Sequence, residues 1–147
     1  MKFIVSIMFF LSMVITQGFC EEGKVINLEF PQEKDHQIEI FLQKSQHSQA
    51  PLIIFLYGAG SNEIPGISSC IQHWANKGYS CAAISSPGFG NTTGKRDFCG
   101  LFTMNVLNYA IDCIKQELNV ADFGMIGFGY TQSFLFIKIY GEKYLSI

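Results

Sequence analysis

Residues 124–133, Gly-Met-Ile-Gly-Phe-Gly-Tyr-Thr-Gln-Ser, carry the spacing with the most chemical content in this chain. They read as a strand running into a sharp glycine-rich turn and then an apolar helix. The pattern G-x-S-x-G on such a turn holds a serine out on strained backbone, ready to attack an acyl carbon. In this sequence Gly127 takes the first glycine position, Gly129 stands where the serine would be, and Thr131 replaces the second glycine. Glycine has no side chain with which to attack. The mount for a nucleophile is present and the nucleophile is missing.

Other residue types able to act as nucleophile or base are scattered. Ser133 falls inside the next helix, Ser85 and Ser86 sit on a different loop, and Cys81 lies within an apolar strand where packing explains it. His36 and His47 read as polar loop residues and His73 as a helix-surface residue. Lys95, Arg96 and Asp97 form a short charged loop that solvation accounts for. None of these is expected to be catalytic. The cysteines offer no C-x-x-C pair, so no zinc template fits, and no cofactor is expected.

The chain has 147 residues, the size of one domain, with 48% hydrophobic and 15% charged residues and 14 Phe. That composition argues against disorder. Part of the apolar excess sits in the first 20 residues. Lys2 is followed by an apolar run over 3–15 and then by small residues at Thr16, Gly18 and Cys20. This is the order of a secretory signal peptide, with cleavage after Gly18 or Cys20, and it predicts a secreted or periplasmic protein. An uncleaved anchor would need about 20 apolar residues, more than this run supplies. Acylation of Cys20 is disfavoured by bulky Phe19 before it.

No basic cluster exists, which excludes a nucleic-acid footprint. Beyond the leader lie Cys70, Cys81, Cys99 and Cys113, which could form two disulfides in three connectivities or pack as small apolar residues. Asn91-Thr92-Thr93 is a glycosylation sequon in an expected surface loop.

The elements that must position the turn follow from periodicity. Residues 25–30 and 37–43 alternate apolar and polar side chains, which predicts an antiparallel pair at a sheet edge. Residues 51–56 hold a continuous apolar run over Leu52–Leu56, the pattern of a strand covered on both faces, and residues 79–84 and 122–126 read as two further buried-type strands. Helical spacing covers 65–77, stopped by Gly78, and 99–119 with a stripe through Phe102, Val106, Ala110 and Cys113; residues 132–140 form a last apolar helix. The order β-β-β-α-β-α-β-α implies βαβ crossovers and a three-layer α/β domain over 21–147. Its sheet is expected to be mostly parallel, with an antiparallel N-terminal strand pair.

That order, with three local signals, resembles the N-terminal half of the α/β-hydrolase superfamily, close to small esterases, dienelactone-hydrolase-like enzymes and related serine peptidases. Residues 51–60, Pro-Leu-Ile-Ile-Phe-Leu-Tyr-Gly-Ala-Gly, look like the third strand and its H-G-x-G oxyanion loop, with Tyr57 in place of the histidine. Residues 74–90 are similar to the helix, strand and P-G-x-G loop that follow, and residues 119–127 look like the approach to the elbow. The resemblance implies a Ser, Asp/Glu, His chain order, yet all three histidines precede Gly129. Only Glu142 follows Gly129 as an acid.

The expectation is therefore an exported partial hydrolase domain, truncated after the elbow helix and inactive by itself, a remnant or a binding module. The alternative is an esterase or peptidase for a small acyl substrate, using an unorthodox nucleophile or a completing partner chain. The resemblance also implies that the backbone N–H groups of Ala59 and Tyr130 match the two oxyanion donors. Finally, the strand at Phe123, Gly124, Met125 and Ile126 is expected to have one bare edge, open to self-association or to a partner chain.

Overall fold

The computed structural model describes residues 22–57 and 64–136; residues 1–21, 58–63 and 137–147 lie outside the described residues. Five strands form one mixed sheet in the order β1-β2-β4-β3-β5. They are β1 (Lys24–Glu29), β2 (Gln37–Gln43), β3 (Leu52–Leu56), β4 (Ser80–Ile84) and β5 (Phe123–Gly127). β1 and β2 pair antiparallel, as do β2 and β4, whereas β3 pairs parallel with both β4 and β5. The crossovers are α1 (Ile64–Ala75) between β3 and β4, and α2 (Leu101–Leu118) between β4 and β5. A 3₁₀ turn at Gly129–Thr131 leads from β5 into α3 (Gln132–Phe136).

Alternation of side chains across the strands divides the core into two layers. On one face Leu52, Ile54, Leu56, Ala82 and Ile84 pack with Val106, Leu107, Ala110, Ile111 and Ile114 of α2 and with Phe134 of α3. On the other, Ile53, Phe55, Cys81 and Ala83 pack with Ile71 and Ala75 of α1. Every residue of β3 and β4 is buried, which is why β3 is wholly apolar and β4 carries a single polar residue, Ser80 at its start. β5 departs from the expected fully covered strand: its residues are half-buried or exposed, because β3 is its one neighbour among the described residues. Gly78 takes φ +91 just after α1, the left-handed stop its position predicts. Among the described residues no helix is long and apolar enough to cross a membrane.

A buried carboxylate ties the antiparallel and parallel parts together. Glu39 on β2 is only 6% exposed. Its Oε2 accepts from the Ser85 hydroxyl (2.8 Å) and the Asn91 N–H (3.1 Å), and its Oε1 accepts from the Asn91 side-chain amide. Thr92 completes the clip: its hydroxyl donates to Ser85 O (2.8 Å) and accepts the Glu39 N–H (2.9 Å). The loop over 85–93 is thus fastened to β2 by groups that include the whole sequon, since Thr93 Oγ1 accepts the Gln37 N–H (2.9 Å).

Two substitutions test this packing, both read by urea unfolding. Ile54→Ala at the centre of the sheet removes a side chain with no exposed surface and is expected to cost about 2–5 kcal/mol. Glu39→Ala leaves the buried Ser85 hydroxyl without its acceptor and removes both bonds to Asn91; it is expected to cost about 1–3 kcal/mol, with Glu39→Gln milder because it keeps one oxygen.

Candidate functional site

Connections from β3 and from β5 leave toward opposite faces, α1 covering one and α3 joining α2 on the other. In an open α/β sheet such a divergence opens a crevice beyond the carboxyl ends of the strands, where ligands bind. Here Tyr57 after β3 and the turn after β5 stand at that place, with the Tyr57 and Phe128 rings 5.9 Å apart. The turn expected from the sequence is present at Gly127, Phe128, Gly129, Tyr130 and Thr131.

Phe128 keeps extended backbone (φ −116, ψ 131), and its N–H donates to Leu56 O at 3.0 Å, extending the ladder one residue past β5. Gly129 then turns sharply at φ +64, a region a side chain makes unfavourable. Thr131 has no exposed surface. Its hydroxyl lies 2.9 Å from Leu56 O and 2.8 Å from Phe128 O, and it accepts from the Phe128 N–H at 3.0 Å. The threonine that breaks the glycine pattern is therefore a stitch between the turn and β3. Periodicity gave no sign of this, because its partner on β3, Leu56, is 75 residues away.

An aromatic group gathers around Tyr130. Its ring lies 5.4 Å from Phe98 and 5.9 Å from Phe89, and the Arg96 guanidinium stacks 4.2 Å from the centre of Phe89. Arg96 Nε also donates to Gly88 O (2.8 Å). Burial pushes the Tyr130 hydroxyl above the usual tyrosine range, against a smaller opposing effect of its hydrogen bond with Ser86. Ser86 is fully buried and donates to Tyr57 O (3.3 Å), so it links the ends of β3, β4 and β5.

Cys99 lies beside the elbow, its thiol donating to Tyr130 O at 3.5 Å. Burial raises its pKa first, and the Asp97 charge adds to that, against a hydrogen bond from the Phe134 backbone. Cys99 and Phe98 both hold positive φ (69° and 47°), so the expected helix starts later, at Leu101. Asp97 is not the solvated charge its loop suggested. Its carboxylate accepts the N–H groups of Phe102 (3.0 Å) and Thr103 (3.3 Å) and the Thr103 hydroxyl, which satisfies the open first turn of α2.

The remaining candidates are not brought to the turn. Ser85 is committed to Glu39, Cys81 is fully buried under α1, and Ser133 is exposed on α3. His36, expected on an exposed loop, is buried at 4% exposure between Phe30 and Phe102, with Nδ1 3.2 Å from Thr93 Oγ1. Closure of the β1–β2 turn against α2 draws it inside. His47 and His73 are exposed as expected.

None of the described cysteines, Cys70, Cys81, Cys99 and Cys113, is joined in a disulfide. Cys70 and Cys81 pack with the α1 layer, whereas Cys99 packs with the opposite layer just ahead of α2, and Cys113 lies about three turns into α2. Each of the three two-bridge connectivities would need a bridge through the sheet or along that helix. Among the described residues no cluster of His, Cys, Asp or Glu is placed to hold a metal ion. Ala59 lies outside the described residues, and Tyr130 is the second residue of the 3₁₀ turn.

No family model matches this sequence, and no curated protein matches it. Solved structures do. An α/β serine hydrolase homologue from Coxiella burnetii superposes with a TM-score of 0.61 at 12% identity, over 80% of this chain and 56% of that one. An esterase from Pyrococcus furiosus gives 0.60 at 18% identity, over 74% and 42%. A putative α/β hydrolase from Agrobacterium tumefaciens gives 0.62 at 15% identity, over 73% and 50%. This chain spans about half the length of the structures it matches. The strand order, the parallel ladders flanking β3 and the turn after β5 are those of an α/β-hydrolase-like fold.

Proposed function

We propose that this chain is an exported α/β-hydrolase-like scaffold with no acyl-enzyme chemistry of its own, kept as a binding module or persisting as a remnant of an enzyme. One observation carries the reading: the residue at the head of the elbow is Gly129, at φ +64. Covalent acyl transfer needs a nucleophile there, a base in hydrogen-bond reach of it, and an acid to orient the base. Gly129 supplies no nucleophile. Among the described residues, the contacts of His36 are with Glu33, Phe30, Phe102 and Thr93 rather than with the elbow. Export is supported by the apolar leader over 3–15. The backbone N–H groups of Ala59 and Tyr130 are what such a scaffold would keep, a place for a carbonyl or carboxylate oxygen.

The solved neighbours include esterases, so a short-chain p-nitrophenyl ester is the probe of choice. Neither the wild type nor Gly129→Ser is expected to turn it over, as the serine alone would lack a base. Turnover by the wild type would overturn the reading and favour another nucleophile or a completing chain. Turnover by Gly129→Ser alone would show that only the serine had been lost.

Cys99 is the thiol nearest the elbow, and its raised pKa decides against it. Iodoacetamide labelling followed by mass spectrometry should find Cys99 slower than free glutathione at neutral pH. Its rate should climb only above the ordinary thiol range of about 8.5, where thiolate forms. Rapid labelling at pH 7 would instead mark an activated cysteine.

A further inference from the structure

The loop over 87–98 carries two features that folding alone does not call for. The first is a cation held in place without a partner charge. The Arg96 guanidinium lies 4.2 Å from the centre of the Phe89 ring, and its Nε donates to Gly88 O at 2.8 Å. Room for its stem is built into the backbone: Gly88 sits at φ +76, and a side chain there would come within 2.6 Å of Arg96 Cγ. Arg96 is exposed and joins no ion pair among the described residues. Asp97 beside it is turned to the first N–H groups of α2.

The second is an aromatic ring displayed on strained backbone. Phe98 holds φ +47, unfavourable for a residue with a side chain, yet it is 58% exposed. Strain that buried the ring would be a packing device; strain that leaves it in water prepares a contact surface. Both features meet on Phe89. Its ring is shared by the guanidinium, by Phe98 (6.4 Å) and by Tyr130 of the elbow turn (5.9 Å), and Phe98 meets Tyr130 in turn (5.4 Å).

We propose that this rim binds a small aromatic carboxylic acid, its carboxylate on the Arg96 guanidinium and its ring against Phe98 and Tyr130. On the reading of the chain as a binding scaffold, this acid is the ligand class the scaffold holds. A planar guanidinium offers two parallel N–H groups, the match for the two oxygens of a carboxylate. Here the stack on Phe89 and the Nε bond fix the plane of that fork beforehand. One guanidinium balances one negative charge, which favours a carboxylate over a phosphate, whose charge is nearer two at neutral pH. The exposed ring of Phe98 and the neighbouring ring of Tyr130 suit an aromatic body through edge or offset contacts.

NMR titration of the isotope-labelled protein with benzoate at pH 7 tests this, with benzamide as the neutral isostere and phenyl phosphate as the more highly charged analogue. Benzoate is expected to bind saturably, to shift the Arg96 Nε–H signal, and to bind about tenfold more tightly than benzamide. Arg96→Gln alters an exposed side chain, so it is expected to keep the wild-type circular dichroism and to bring benzoate down to the level of benzamide. Phe98→Gly suits φ +47 and is expected to keep the fold while weakening both ligands alike. Equal binding of benzoate and benzamide overturns the proposal, as does benzoate binding that survives Arg96→Gln, or no binding at all. Tighter binding of phenyl phosphate than of benzoate overturns the carboxylate as the ligand. Ester turnover enters none of these readouts, so a failure here is seen apart from a failure of the scaffold reading.

Discussion

A strand flanked by strands on both edges and by helices on both faces meets no water, so the protein must satisfy every one of its backbone polar groups. β3 is in that position, between β4 and β5 and under both α1 and α2. An unpaired N–H or C=O there would cost about as much as a lost hydrogen bond. The last carbonyl of the strand, Leu56 O, shows how the requirement propagates. It accepts the Phe128 N–H and lies within hydrogen-bond distance of the Thr131 hydroxyl, so satisfying β3 also fixes the turn that follows β5. The place of the candidate site is a consequence of closing the central strand.

Around that turn the loops are held by carboxylates rather than by apolar packing alone. Glu39 collects donors from the 85–91 loop, and Asp97 collects them from the start of α2. Hydrogen bonds to a charged acceptor in a partly dry site are the stronger kind. They offset the strain of consecutive positive φ values at Phe98 and Cys99, which costs on the order of 1–2 kcal/mol at each residue. The result is a rim in which the rings of Phe89, Phe98 and Tyr130 touch one another.

Gly129 alters the chemistry and the energetics of that rim together. In a nucleophile elbow the strained backbone is the cost of displaying a side chain. With glycine at φ +64 the strain disappears, and so does the reacting group. Thr131, bound to β3, stabilises the same turn from its other end. The turn has the architecture of a catalytic feature and the residues of a structural one, consistent with the general rule that function resides in sites rather than folds.

Much of this was determined by the sequence itself. Two alternating runs, one continuous apolar run, two further buried-type strands and two amphipathic stripes set the order of elements, because burial on one face or two dictates the period of the side chains. The glycine at position 129 decided what the elbow could not do, whatever surrounds it. Other properties waited for the tertiary structure, since they depend on partners distant in the chain. Glu39 reaches Asn91 across 52 residues, Thr131 reaches Leu56 across 75, and His36 is buried only because the β1–β2 turn closes on α2. β5 reads as a covered strand from its composition, and only the strand order leaves it β3 as its one neighbour among the described residues. Local periodicity encodes which face of an element is apolar; which neighbour covers that face is decided by topology.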